Sequence, residues 1–332
     1  MTLPITPDDV VEASRALRGI AVRTPHISVP ALNEAAGATV IVKAENMQRT
    51  GSFKFRGAYH HAASLPDDAR QRGIIGASSG NHAQALALAG RLLDAPTMVV
   101  IPSDAPRAKV EGAVALGADI VVYDRRFGDR DGLVADLAEQ HGLTIIPSAN
   151  SPLVMAGAGT AAMELIADHP EITTLVVPVG GGGLAAGTAV IAKDLRPGIR
   201  VVGVEPRSAA DTLASLRAGH RVSLAEVPST VADGLGHTTP SELPWQVNSL
   251  LLDDVVTVAD HDITAAMGYA FQHLKCVAEP SGAVALAAVL AHRLDLAGQT
   301  VGVVVSGGGV DLRMFHDLTS SFRTRNGTPA HA

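Results

Sequence analysis

Short, uninterrupted apolar runs rich in Val, Ile and Thr recur along this chain, and alanine-rich stretches with apolar residues at helical spacing lie between them. The runs are Thr39-Val40-Ile41-Val42, Thr97 to Ile101, Asp119 to Tyr123, Leu143 to Ile146, Leu175 to Val177, Val201 to Val204 and Thr300 to Val305. Apolarity without alternation marks strands covered on both faces, as in a parallel sheet. The stretches Asn81 to Leu93, Ala105 to Leu116, Asp131 to His141, Val154 to Ala167 and Ser281 to Ala291 read as crossover helices, with Gly117 and Gly142 placed as C-terminal caps. Thr6-Pro7-Asp8-Asp9, an N-cap followed by proline at the first helical position, signals an opening helix. The expected fold class is α/β, with two open, mostly parallel sheets carrying helices on both faces.

A chain of 332 residues, 47% hydrophobic and 18% charged, can bury a core large enough for two domains. Two polar or Pro-bounded breaks, Leu65 to Gly73 and Pro147 to Pro152, suggest where they divide. The expectation is a small inserted domain over 73–150 and a large domain built from 1–72 and 151–332. A net charge of −7 and a pI near 6.0 offer no basic field to nucleic acid, and no Lys/Arg-rich run marks a membrane surface. Leu175 to Ala192 is uncharged and nearly long enough to span a bilayer, but Pro178 and four glycines break it into strand, loop and helix. The first eight residues lack the basic and apolar regions of a secretory signal. The single cysteine, Cys276, excludes an internal disulfide and a Cys-based zinc cluster, and reads as a buried thiol in a reducing compartment, the cytoplasm.

Four segments suggest one ligand. Lys54, in Thr50-Gly51-Ser52-Phe53-Lys54-Phe55-Arg56-Gly57-Ala58, has two of the six phenylalanines as neighbours. Desolvation lowers a lysine pKa and frees the amine to form a Schiff base, so the segment points to an aldehyde cofactor. Gly180-Gly181-Gly182-Gly183, after Val176 to Val179, puts unobstructed N–H groups at a helix start, an anion site most simply filled by phosphate. Ser78-Ser79-Gly80-Asn81-His82 opens the next candidate helix and can face a carboxylate at its positive end. Ser306-Gly307-Gly308-Gly309 is the fourth. Gly180 to Ala185 and Gly157 to Ala162 also match G-x-G-x-x-A, which keeps a nicotinamide dehydrogenase open as an alternative.

Together with Glu279-Pro280-Ser281-Gly282-Ala283, these motifs stand in the order and approximate spacing of the threonine dehydratase/serine racemase family, pyridoxal-phosphate enzymes of the tryptophan-synthase-β-like fold. The chain resembles that family from Arg23-Thr24-Pro25 to Asp311. The resemblance implies that Lys54 holds pyridoxal 5'-phosphate as a Schiff base and then removes the substrate α-proton, with Gly180, Gly181, Gly182 and Gly183 on the phosphate. It implies Asn81 at the phenolic oxygen, Phe53 beside the ring, Ser306 at the pyridine nitrogen, and Glu279 within the cofactor-binding set. Ser79 would lie across the ring from Lys54 as a second catalytic residue, the one that reprotonates the opposite face in racemases. Ser78, Ser79, Gly80 and His82 would meet the substrate, as would Arg130. Glu205, the Ala209 carbonyl and Asp211 match the family's site for Mg²⁺ or Ca²⁺, where hard oxygen ligands suit either ion. A homodimer is implied as well.

Two departures bear on the substrate. Gly309 replaces an asparagine of many relatives, and the loop Ala232-Asp233-Gly234-Leu235-Gly236-His237 matches only through Ala-Asp-Gly, so Gly236 and His237 suggest a substrate larger or more polar than threonine. The expected activity is a dehydratase (ammonia-lyase) that eliminates water from a 3-hydroxy-L-amino acid of threonine or serine type, giving a 2-oxo acid and ammonia. The alternatives are a serine racemase with dehydratase side activity, a dehydratase for another acid such as 3-hydroxyaspartate, or a cofactor-binding protein without turnover.

Overall fold

The computed structural model describes residues 2–78, 80–105, 107–124 and 128–322. Among these residues ten strands form two sheets. In chain order they are β1 (His26–Ile27), β2 (Thr39–Ala44), β3 (Ile74–Ala77), β4 (Thr97–Pro102), β5 (Asp119–Tyr123), β6 (Thr144–Ile145), β7 (Thr174–Pro178), β8 (Arg200–Pro206), β9 (Asp254–Val258) and β10 (Thr300–Val305). Six of them lie in the order β1-β2-β10-β7-β8-β9 and four in the order β5-β4-β3-β6. Every pairing is parallel except that of the two-residue β1 with β2.

Successive residues of the six-stranded sheet enter two different cores, which is why its strands carry no polar alternation. On β2, Val40 and Val42 pack with the helices Asp260–Tyr269 and Pro280–Leu290, while Ile41 packs with Pro152–Asp168 and Gly183–Leu195 on the other side. On β10, Val303 and Val304 divide in the same way. The four-stranded sheet repeats the arrangement, Ile74 and Val99 facing the Asn81–Leu92 helix and Ile75 and Val100 facing Val134 and Ala138. The opening helix, Pro7–Ala16, is closed by a capping box in which Thr6 and Asp9 satisfy each other's backbone N–H.

Three strands escape the apolar-run criterion. β3 has only Ile74 and Ile75 before Gly76 and Ala77, β9 is an edge strand with Asp254 and Thr257 in it, and β1 is two residues long. The polar stretch 65–73 is not purely a break: it holds a short helix, Asp67–Arg72, with aspartates in its first turn and arginines in its last. Among the described residues no helix is long and apolar enough to cross a membrane.

Candidate active site

Parallel strands deliver their following turns to one edge of a sheet, and ligands of open α/β sheets bind there. β2 and β10 are neighbours, so the segments after them are tied together: Ser52 forms an antiparallel bridge with Gly307, and the Phe53 N–H donates to the Ser306 carbonyl at 3.1 Å. This pins Lys54, first residue of the Lys54–Ala63 helix, beside Ser306. β7 supplies the glycine loop, and β3 supplies the 78–82 turn from the other sheet. They enclose a cavity of about 200 Å³ with Phe53, Lys54 and Ser306 on one wall and Ser78, Gly80, Asn81 and His82 on another. Arg130, Gly180 to Gly183, His237 and Glu279 line it too.

Lys54 Nζ donates to the Ser148 carbonyl at 2.8 Å and lies 5.0 Å from the centre of the Phe53 ring. Burial lowers its pKa to about 8, so roughly a tenth of the amine is unprotonated at pH 7, far more than for an ordinary lysine. Facing it, Gly182 turns the chain with φ +87° and Gly183 starts the Gly183–Leu195 helix, whose first N–H groups have no intrahelical acceptor. Asn248 holds the loop by donating to the Gly182 carbonyl at 3.1 Å. A Cβ at Gly182 would lie 2.7 Å from Asn248 Nδ2, and one at Gly183 would lie 3.2 Å from the Ala149 backbone. Side chains at these two positions would crowd the residues that support the loop.

On the opposite wall the Gly80 N–H donates to Ser78 Oγ at 3.0 Å, and Asn81 opens the Asn81–Leu92 helix. Ser79 lies outside the described residues. His82 donates from Nε2 to the Ile146 carbonyl at 2.9 Å; burial, then the charge of Lys54, lowers its pKa to about 4. One of its nitrogens is thus committed to the fold, which suits an anchor for the turn. His237 packs against the glycine loop, and its Nδ1 is buried without a partner. Burial, followed by the charge of Lys54, holds His237 at about 4 as well, and Arg130 pushes in the same direction. Arg130 begins the Arg130–His141 helix, with Nε bonded to Asp131 at 2.7 Å and its side chain half-exposed.

Glu279, the N-cap of the Pro280–Leu290 helix, accepts from the Asn81 amide with Oε1 and from Lys109 with Oε2 at 3.4 Å. Lys109, Asp233 and Ser148 are cavity residues that the sequence reading does not single out. Asp233 stood inside the Ala-Asp-Gly match, but Lys109 and Ser148 carry no local signal.

Pyridoxal phosphate fits this set of groups: a lysine amine whose pKa burial lowers to about 8, a four-glycine loop opening a helix, and a buried imidazole nitrogen still lacking a partner. Glu205, Ala209 and Asp211 stand apart from the cavity, at the end of β8 and the start of the Asp211–Ala218 helix. Glu205 accepts from the N–H groups of Thr212 and Leu213 at 2.8 and 2.9 Å, whereas both Asp211 carboxylate oxygens are buried without a well-formed hydrogen bond, beside the Glu205 carboxyl. Burial pushes both carboxyls up, and the charge of Glu205 adds to the shift of Asp211. A pair of buried carboxylates short of positive charge fits a cation, although the described residues contain no group of three or more Asp, Glu, His or Cys able to hold one. Gly157 and Gly159 prove to be interior residues of the Pro152–Asp168 helix, where a Cβ would lie 2.7 Å from the Arg56 and Gly187 carbonyl oxygens. They serve close helix packing, and that dinucleotide match falls away.

Comparison with known proteins agrees with this geometry. Residues 17–307 match the family described as pyridoxal-phosphate dependent enzyme. The chain is 42% identical to an L-threo-3-hydroxyaspartate ammonia-lyase of Pseudomonas sp., over 93% of this chain and 97% of that protein. It is 39% identical to an L-threo-3-hydroxyaspartate ammonia-lyase of Saccharomyces cerevisiae, over 95% and 96%. The solved structure of maize serine racemase superposes with a TM-score of 0.91 at 36% identity, covering 95% of this chain and 96% of that one.

Proposed function

The chain belongs to the family of pyridoxal-phosphate-dependent enzymes, and on that premise we propose that it is an ammonia-lyase that takes a 3-hydroxy-L-amino acid to a 2-oxo acid and ammonia. The observation that carries the reading is the buried Lys54 amine, facing the glycine cradle and the 78–82 turn across one cavity. Bound there, pyridoxal phosphate supplies an electron sink that acidifies the α-C–H and lets the 3-hydroxyl leave. Lys54 would hold that group, with Gly180 to Gly183 on its phosphate and Phe53, Asn81 and Ser306 around its ring. Ser306 offers a neutral hydroxyl instead of a carboxylate, which keeps the sink weak and favours prompt loss of the hydroxyl.

The free amine of Lys54, with its lowered pKa, is suited to take the α-proton. Ser78, Gly80 and the start of the Asn81–Leu92 helix would hold the substrate carboxylate, leaving the α-C–H to face Lys54. His82 fixes that turn through Ile146. Arg130 and His237, whose Nδ1 is unpartnered, line the same cavity, where a second carboxylate on the substrate would find a cation and a donor. We therefore place 3-hydroxyaspartate ahead of threonine and serine, a preference in keeping with the names of two relatives.

The test is keto-acid release by the purified protein from 3-hydroxyaspartate, threonine and serine. His237→Ala and Arg130→Gln should lower kcat/KM for 3-hydroxyaspartate by about 10²-fold, the scale of a lost charge-assisted bond, and leave serine little changed. Unaltered ratios among the three would remove both residues from specificity. Chiral analysis of recovered serine tests the racemase alternative, in which Ser79 would act. Borohydride should fix the cofactor on the peptide containing Lys54; no adduct there would end this reading.

Three further points belong to the same proposal. Glu205, the Ala209 carbonyl and Asp211 would hold Mg²⁺ or Ca²⁺, a reading supported by the two buried carboxyls side by side, Asp211 lacking a well-formed hydrogen bond. The enzyme is a homodimer, which light scattering tests. Its compartment is the cytoplasm, in keeping with a lone, buried cysteine.

A further inference from the structure

Lys109 has no part in the chemistry above, yet it spans the two halves of the molecule. It stands on the Arg107–Ala115 helix, beside the four-stranded sheet, with 12% of its side chain exposed. Its Nζ lies 3.2 Å from an Asp233 oxygen and 3.4 Å from Glu279 Oε2, both borne by segments packed on the six-stranded sheet. The other oxygen of Glu279 accepts from Asn81, which again belongs to the four-stranded side. Two groups from one half thus converge on a single carboxylate of the other half, and that carboxylate is 2% exposed. A buried anion of this kind depends on such partners to remain charged.

The contact reaches the substrate turn from both directions. A Cβ at Gly80 would lie 3.0 Å from Lys109 Nζ, so the ammonium sits against the 78–82 turn itself. Asp233 Oδ1 accepts from Ser281 Oγ at 3.5 Å, and Ser281 Oγ accepts from the Gly234 N–H at 2.9 Å, fixing the loop that ends at His237.

We propose that Lys109 is a positioning residue, an ionic latch that closes the 73–150 unit onto the rest of the chain and so brings the substrate turn over Lys54. The proposal rests on the functional reading above for what the turn binds, and it treats residues 73–150 as a body that moves as one. A substrate carboxylate at the start of the Asn81–Leu92 helix would bring negative charge beside the same ammonium, so binding and closure favour each other. If substrate binds the closed form only, opening the latch raises the apparent KM by the inverse of the closed fraction, while saturating substrate restores closure.

The experiment compares holoenzyme of wild type, Lys109→Met and Lys109→Arg. Lys109→Met should raise KM about tenfold or more with kcat changed by less than about threefold, and Lys109→Arg should recover much of the loss. Without substrate, amide hydrogen exchange in residues 81–92 and 107–115 should speed up in Lys109→Met. L-Alanine, which has no leaving group, should slow it again. This second measurement needs no turnover, so the latch stands or falls separately from the assigned reaction. Wild-type KM together with wild-type exchange would overturn the latch, and so would an exchange increase spread evenly over both sheets. Should Lys109→Met fail to fold, Asp233→Asn must reproduce the pattern with smaller amplitude, and its absence there overturns the latch equally.

Discussion

Among the described residues the Lys54 amine meets the Ser148 carbonyl and the Phe53 ring and no carboxylate, and burial lowers its pKa to about 8. The unprotonated amine is the form that attacks an aldehyde, so uptake of pyridoxal phosphate by the apoprotein should accelerate as pH rises through about 8 and level off above it; stopped-flow absorbance measures this. Lys54→Ala should be colourless and lose turnover by about 10³-fold or more, since a positioned base is worth 10²–10⁴. Asp211 poses the opposite electrostatic problem, a buried carboxyl beside Glu205 whose ionised form has no cation near it among the described residues. Millimolar Mg²⁺ or Ca²⁺ should raise the melting temperature, by the equivalent of about 2.7 kcal/mol at a hundred times the dissociation constant. Asp211→Asn should abolish that dependence, as thermal scans with and without chelator would reveal.

Glycines of identical composition do different work in adjacent elements. Gly182 sits in the left-handed region against Asn248, in the loop that leads into the Gly183–Leu195 helix. Gly182→Ala should cost about 1–3 kcal/mol of local strain, read as weaker cofactor binding in an equilibrium titration. Gly187, one turn into the same helix, meets Gly159 of the Pro152–Asp168 helix, and a Cβ there would overlap the Met155 carbonyl oxygen. Gly187→Ala should therefore lower stability by about 1–3 kcal/mol in denaturant unfolding, with cofactor affinity of the folded protein unchanged. The glycine cradle is legible in sequence because four in a row exceed what a plain strand–helix turn needs. The packing glycines are not, since Gly157 to Ala162 satisfies a ligand motif by pattern and a helix crossing by structure.

At the scale of the whole molecule the cavity depends on both sheets, and a buried ionic cluster secures the element that carries the lysine. Arg56, two residues after Lys54 and fully buried, bonds Glu45 and Glu164 at 2.8 Å each, and Lys43 reaches Glu164 at 2.7 Å. Arg56→Met would strand Glu45 beside the remaining charges and should cost about 3–5 kcal/mol in chemical unfolding. The sequence by itself determined the fold class, seven of the ten strands among the described residues and the four segments that line the cavity, because apolar period and glycine placement are local properties of the chain. Tertiary structure alone decided which groups face those turns. Lys54 meets Ser148 across 94 residues, Asn81 meets Glu279 across 198, and Lys109 meets Glu279 across 170. No local pattern encodes such pairs; they arise when parallel strands from two sheets bring their ends together, and the charge state of each group is set only then, by burial and by the partner it finds.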